Sequence, residues 1–174
     1  MFLYLIEWQS EGAGADVSPV PPDLLASASQ VRFFKIKGVI ANRMIWAEFD
    51  AKPDVQLLPK AKVTLLEQTN SIGQAGPLET PHVYLVHSDI EPELLDEYHH
   101  GSGVEHLQRL VKVPGILRAR RFTALAGAPL FLTAYDLTDR HAFESPAGLE
   151  ARKTAWTNLM NSQARVTRRI MCRL

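Results

Sequence analysis

Apolar residues along this chain come in short runs bounded by glycine, proline and asparagine, the pattern of strands and tight turns. The first run, Met1 to Ile6, meets Glu7 and reads as an opening strand. Val31 to Lys37 and Ile116 to Ala124 are rich in β-branched, aromatic and arginine residues and read as two more. Each leads into a turn, Gly38 to Asn42 and Ala126-Gly127-Ala128-Pro129, short enough to make the next strand an antiparallel hairpin partner. Helical spacing begins only after Pro92, which is flanked by Glu91 and Glu93 and suits a first helical turn. Leu94, Leu95 and Tyr98 form its stripe, and Gly101 and Gly103 interrupt it. A second piece starts at Ser102, carries Val104, Leu107, Leu110 and Val111 on one face, and stops at Val113-Pro114-Gly115. Ser145-Pro146 opens a later helix, with Leu149, Trp156 and Met160 at near-helical spacing. Ser10 to Pro22 reads as a mobile loop and Thr69 to Pro81 as a linker.

The runs repeat. Phe2-Leu3-Tyr4-Leu5-Ile6 is matched by His82-Val83-Tyr84-Leu85-Val86, and Arg32-Phe33-Phe34-Lys35-Ile36 by Arg118-Ala119-Arg120-Arg121-Phe122. Met44 to Asp50 is matched by Leu130 to Asp136, and Val63-Thr64 by Val166-Thr167. The offset grows from 80 (Tyr4 to Tyr84) to 86 (Arg32 to Arg118) to about 103 (Val63 to Val166). The second copy therefore gains residues where a β-α-β-β-α-β unit places its helices. The expected fold is α+β: tandem ferredoxin-like repeats with antiparallel sheets, the first with shortened helices. Residues 1–72 form the degenerate repeat, 73–80 the linker and 81–174 the complete repeat. Both are small enough to require one shared core.

Composition narrows the function. Hydrophobic residues make up 46% of the 174 and charged residues 22%, enough apolar surface for a core without metal or disulfide. Nineteen basic residues balance nineteen acidic ones, which argues against a nucleic-acid partner. The local run Arg165, Arg168, Arg169 and Arg173 reads as the solvent face of a strand, with an anion site as its alternative. Cys172 is the only cysteine, so no intrachain disulfide forms and a reducing compartment fits. The N-terminal run is too short to span a membrane and lacks a signal-peptide pattern. A cytoplasmic protein with no membrane partner is expected.

Within the second repeat the pattern becomes more specific. Glu105-His106-Leu107, Val113-Pro114-Gly115 and Ala119-Arg120-Arg121-Phe122 resemble an uncharacterised bacterial branch of the dimeric α/β-barrel superfamily, near the EthD-like proteins. Gly127-Ala128-Pro129, Ala134-Tyr135-Asp136, Ser145-Pro146-Ala147 and Trp156-Thr157 extend the likeness over roughly residues 81–174. Gly101 stands where that branch places an aromatic, and Ile116 where phenylalanine is usual. The resemblance implies a dimeric α/β-barrel fold and a pocket location. The superfamily's functions range from cofactor-independent monooxygenases, cyclases and isomerases to haem proteins, so it implies no single reaction.

His106 adjoins the Leu107, Leu110, Val111 stripe and is placed at a cleft edge, where imidazole serves as acid or base. Its alternative is a helix-start histidine bonded to backbone. Glu105 is the neighbouring catalytic candidate, yet Ser102-Gly103-Val104-Glu105 also makes a capping box, and Glu105 can pair with Arg109. Tyr84, Tyr98 and His99 are candidates for substrate binding. His87, His99, His100 and His106 could suggest a metal, but Gly101 and Gly103 break the helix such a motif needs. No metal and no cofactor are expected, with a histidine-bound haem as the minor alternative. Arg120 and Arg121 lie on opposite faces of one strand, so one must face the interior or a pocket and be paired, with Asp136 or Glu144 as partners in hand. Arg121 is taken as the substrate-binding arginine.

Two functions fit these residues. One is a cofactor-independent enzyme acting on a small, partly apolar compound with His106 as acid/base. The other is a non-catalytic binding or assembly protein on the same scaffold. Either has a small-molecule site between the Pro92–Val111 segment and the second repeat's sheet, and a homodimer is left open.

Overall fold

Side chains that alternate across each strand build two layers around one barrel. The computed structural model describes residues 1–10, 20–36, 42–54, 58–101, 105–163 and 165–173. Eight strands run among them: β1 Phe2–Trp8, β2 Gln30–Lys35, β3 Arg43–Phe49, β4 Ala61–Gly73, β5 His82–Asp89, β6 Ile116–Ala126, β7 Phe131–Leu137 and β8 Arg165–Arg173. All pair antiparallel, and the order β1-β3-β2-β8-β5-β7-β6-β4 closes on itself. On β3, Met44 and Trp46 join an interior core with Leu3, Leu5, Leu85 and Phe122. Ile45, Ala47 and Phe49, between them in sequence, pack outside with Tyr4, Ile6 and Leu24. Cys172 lies wholly inside the barrel.

Residues 1–73 are ordered β4-β1-β3-β2 and residues 82–173 are ordered β8-β5-β7-β6, the same arrangement of corresponding strands. Leu3 opposes Glu48 as Val83 opposes Asp136, and Arg32 opposes Trp46 as Arg120 opposes Ala134. Glu48 thus corresponds to Asp136 and Arg32 to Arg120. The sequence match paired Arg32 with Arg118 instead, and Asp50 with Asp136. Like residues two apart share a face and mimic a match; only the ladder tells them apart.

The segment from Thr69 to Gly73, expected as the start of a linker, is strand. β4 continues to Gly73 because its far half pairs with β6, from Gln68 opposite Phe122 to Gly73 opposite Arg118. Polar Thr69 to Ser71 have no apolar periodicity, so a partner strand rather than propensity extends this element. Gly73 adopts φ +106, and a Cβ there would run into the Leu117 carbonyl, so glycine is required.

Helices gather on the second half. A 3₁₀ turn at Pro92–Leu94 runs into α1 Leu95–Gly101, followed by α2 Leu107–Leu110, a second 3₁₀ turn at Ala142–Glu144, α3 Pro146–Ala151 and α4 Ala155–Gln163. Ser145 caps α3 by accepting from the Gly148 amide at 3.0 Å. The stretch expected as one helix from Ser145 through Met160 is two: Thr154 accepts from the Thr157 amide at 2.9 Å and starts α4 afresh. Leu149 consequently faces solvent, while Met160 packs inward. In the first half the described residues hold a single short 3₁₀ turn, Pro22–Leu25. The expected loop lies mostly in 11–19, the first hairpin turn in 37–41 and most of the capping box in 102–104, all outside the described residues.

An ion network occupies one end of the barrel interior. Arg32 Nη1 donates to Asp136 Oδ1 at 2.7 Å, and Arg120 Nη1 donates to Glu48 Oε1 at 2.7 Å. These corresponding pairs run crosswise, each tying an arginine of one half to a carboxylate of the other. Arg118 Nε and Arg120 Nη2 also donate to Asp136 Oδ2, at 2.9 and 3.2 Å. Burial would raise the Asp136 carboxyl, but Arg120, Arg32 and Arg118 outweigh it and hold it below the ordinary aspartate range. Of the two adjacent arginines, Arg120 faces the interior, 1% exposed, with Asp136 as a partner. Glu144, the other partner considered, is exposed and pairs with His141.

Candidate functional site

The outer face of β5, β7 and β8 and the helices above it enclose a cavity of about 160 Å³. Tyr84, Val86 and Ser88 of β5, Thr133 and Tyr135 of β7 and Arg169 of β8 form its floor. Tyr98, His106, Leu107, Leu110, Trp156 and Met160 form the roof, with Arg152 and Phe143 at the side. The Trp156 indole Nε1 donates to the Glu97 carbonyl at 3.2 Å and pins α4 to α1. A cavity of this size accepts a single ring, as engineered apolar cavities of roughly 150 Å³ accept benzene.

His106 sits in a single π-helical turn with Glu105. Its ring lies 4.7 Å from Trp156, and Nδ1 is 3.1 Å from the Thr157 hydroxyl. Burial, then Arg152, Arg121 and Arg109, lower its pKa from 6.5 to about 4, so the imidazole is neutral near pH 7. Thr154 Oγ1 donates to Thr157 Oγ1 at 2.9 Å, completing a chain of hydroxyls behind the histidine.

The other expected site residues divide. Tyr84 lines the cavity, tilted against Phe143 at 4.9 Å and Tyr135 at 6.2 Å, and burial raises its hydroxyl pKa. Tyr98 also lines it, with its hydroxyl 3.4 Å from Ser88 Oγ. Glu105 does not: it is exposed and pairs with Arg109 at 3.4 Å, because the turn that directs His106 inward directs its neighbour to solvent. His99 is exposed and packs edge-on to Phe131 and Tyr98 outside the cavity. Arg121 is buried under α1, where Nη1 donates to the Tyr98 carbonyl and the guanidinium stacks 4.0 Å from the Tyr98 ring. It therefore holds the roof and does not reach the cavity. The cavity's arginines are Arg152 and Arg169, of which Arg169 stood in the basic run read as a solvent face. Ser88, Thr133 and Arg152 were missed, having no motif; Trp156 and Thr157 were visible as part of the resemblance.

Among the described residues no three His, Cys, Asp or Glu gather as metal ligands, and no helix is long and apolar enough to cross a membrane. No family model and no curated protein matches the chain. Solved structures do. A major regulator of staphylococcal pathogenesis aligns with TM-score 0.63 at 13% identity, covering 99% of this chain and 98% of its own. A ferredoxin-fold protein from Listeria monocytogenes, related to antibiotic biosynthesis monooxygenases, aligns with TM-score 0.57 at 14% identity, covering 99% and 94%. A haem-degrading enzyme from Listeria monocytogenes aligns with TM-score 0.54 at 12% identity, covering 99% of each chain. At such identities the likeness is one of fold. The chain has a ferredoxin-like fold, closed into an eight-stranded antiparallel barrel.

Haem fits this cavity poorly. Sites for drug-sized ligands occupy roughly 300–1,000 Å³, whereas this cavity has about 160 Å³ and its histidine is stacked on Trp156.

Proposed function

We propose that the chain binds a small, partly apolar compound carrying a carbonyl or phenolic oxygen in the second-half cavity, and that it acts on this compound as a cofactor-independent enzyme through His106. The observation that carries the reading is a neutral imidazole lining a helix-roofed cavity with Nδ1 engaged by Thr157. In this reading the Thr157 hydroxyl, accepting from Thr154, turns its own proton to Nδ1, and the ring proton resides on Nε2. A neutral imidazole presenting N–H stabilises negative charge growing on an oxygen, and Arg152 and Arg169 add to that field. The acid/base role expected for His106 thereby narrows. A group with pKa about 4 is almost never protonated at rest near pH 7, so polarisation rather than proton donation is its task.

Fluorescence titration with single-ring phenols and aryl ketones tests the reading, with Trp156 as reporter and Trp156→Phe as control. His106→Ala is expected to weaken a ketone about 10-fold, one hydrogen bond's worth, while leaving toluene unchanged. Absence of any binding, or equal loss for both classes, overturns it.

A second reading, a non-catalytic binding or assembly protein, is favoured by the tyrosines of the cavity. Burial raises the Tyr84 and Tyr135 hydroxyls, so neither shares proton work with His106 near neutrality. One fold relative is a regulator. Ligand binding without turnover of any bound compound would select this reading.

On the same proposal, residues 1–72 and 81–174 are tandem copies of one ferredoxin-like unit, joined by 73–80, and the second copy belongs near the EthD-like branch. Matching strand order and register support the repeat. A protease site introduced at Gly76 should leave the cut halves associated on a sizing column; halves that separate and stay soluble would sink the idea.

A further inference from the structure

A second cavity, of about 340 Å³, opens at the end of the barrel that holds the ion network. Glu48, Arg118 and Arg120 form its inner wall, and Ser29, Gln30, Gln68 and Ser71 contribute polar side chains around them. Asp50 also lines it, exposed to solvent where its charge is screened. The buried charges do not balance: Arg32, Arg118 and Arg120 face only Glu48 and Asp136, all five less than a tenth exposed. Their hydrogen bonds do not balance either. Arg118 Nη2, Arg120 Nε, and Arg32 Nε and Nη2 have no hydrogen-bond partner among the described residues. Arg32 Nη2 approaches Glu48 only to 3.8 Å. The remaining arginine nitrogens are committed to Glu48, Asp136 and the Gly76 carbonyl. A buried guanidinium with idle donors is costly to retain, and a cationic surplus beside a polar cavity attracts an anion.

We infer that the barrel mouth is a binding site for a small monoanion of carboxylate size, held by Arg118 and Arg120 and distinct from the His106 cavity. A carboxylate has two oxygens to share between the two arginines, each with one uncommitted nitrogen, and the surplus of one positive charge calls for one negative charge. Gln30 stands beside them, its Nε2 donating to the Leu78 carbonyl and its buried Oε1 without a hydrogen-bond partner among the described residues. The residues come from both halves, so the ligand would bridge them.

Thermal unfolding of the full chain in sodium acetate, against sodium chloride at equal ionic strength, tests the site. Acetate is expected to raise the melting temperature by about 3–6 °C once it exceeds its dissociation constant tenfold. Arg118→Met should remove the rise. Because that substitution removes a member of the ion network, Ser71→Phe serves as the second variant: Ser71 is an exposed residue at the mouth, opposite Arg120 on the neighbouring strand, whose enlargement blocks entry while every arginine is kept. Loss of the acetate response in Ser71→Phe supports the proposal whether or not Arg118→Met folds. No rise over chloride in the natural chain, or a full rise in Ser71→Phe, overturns it.

Discussion

The two halves of the barrel share strand order and register, yet one outer face is filled and the other hollow. By the pairing of β1 with β3 and β5 with β7, Trp8 corresponds to Ser88, Ile45 to Thr133 and Ala47 to Tyr135. By the pairing of β1 with β4 and β5 with β8, Val63 corresponds to Arg169. In the first half Trp8 and Ile45 are buried beneath Val20 and Leu24. A large indole and an aliphatic chain fill that space, and among the described residues a short 3₁₀ turn lies over it. In the second half Ser88, Thr133 and Arg169 line the cavity instead. Ser88 and Thr133, smaller than Trp8 and Ile45, leave volume beneath the helices, and the connections from β5 to β6 and from β7 to β8 supply a roof that spans it. A site on this scaffold is thus made by what the outward positions lack as much as by what they carry.

The largest effect should come from the feature the halves share. Asp136→Ala leaves Arg32, Arg118 and Arg120 without their common carboxylate. A cost of about 5 kcal/mol in urea denaturation is expected, because uncompensated charge is left buried. The arginines depress the Asp136 pKa, so its contribution is full above the unfolded value near 3.8 and is lost as pH falls through the lower folded one. Asp136→Asn should flatten the acid limb of stability in that window.

Next, Trp8→Ser gives the first half the residue of the second. Deleting a buried indole leaves a cavity, costing about 4 kcal/mol, measured in the same way. A cost below about 1 kcal/mol would show that the first half's cover is less dependent on Trp8 than its packing implies.

The third effect belongs to the hollow half alone. His106 is held neutral in the fold, with its pKa lowered from 6.5 to about 4. Its contribution is therefore full above pH 6.5 and declines as pH falls toward 4, by on the order of 2–3 kcal/mol. His106→Gln should remove that slope, and unfolding free energies measured across this range would reveal it. An unchanged slope would place the titration elsewhere.

The smallest effect on stability should be the most telling for function. Thr133→Ile gives the cavity floor the residue its counterpart carries, changing stability by less than about 1 kcal/mol. Binding of single-ring compounds should nevertheless fall at least 10-fold as the volume fills. Retained binding would show that the ligand lies elsewhere.

Much of the strand plan was legible because short apolar runs and Gly or Pro turns are local signals. Val31–Lys37, Ile116–Ala124 and both hairpins came from a few neighbouring residues each, as did Pro92 and Ser145-Pro146 as helix starts. His106, Tyr84 and Tyr98 were placed near a cleft by an apolar stripe and by the repeat. Glu105 shows the limit: a residue beside a cavity residue in sequence can face the opposite way in space. His99 and Arg121 show it again, since both sit close to the site and neither lines it.

By itself the sequence determined the class of elements and much of their order, carried by spacing along the chain. The tertiary structure alone decided how far β4 extends, which register matches the halves, and which charges meet. Polar Thr69 to Ser71 become a strand only because β6 lies beside them. Asp136 acquires Arg32 as a partner only because the barrel closes and brings the two halves face to face. Periodicity is a property of neighbours in sequence; pairing and cavity volume are properties of neighbours in space, and those were set when the ends of the sheet met.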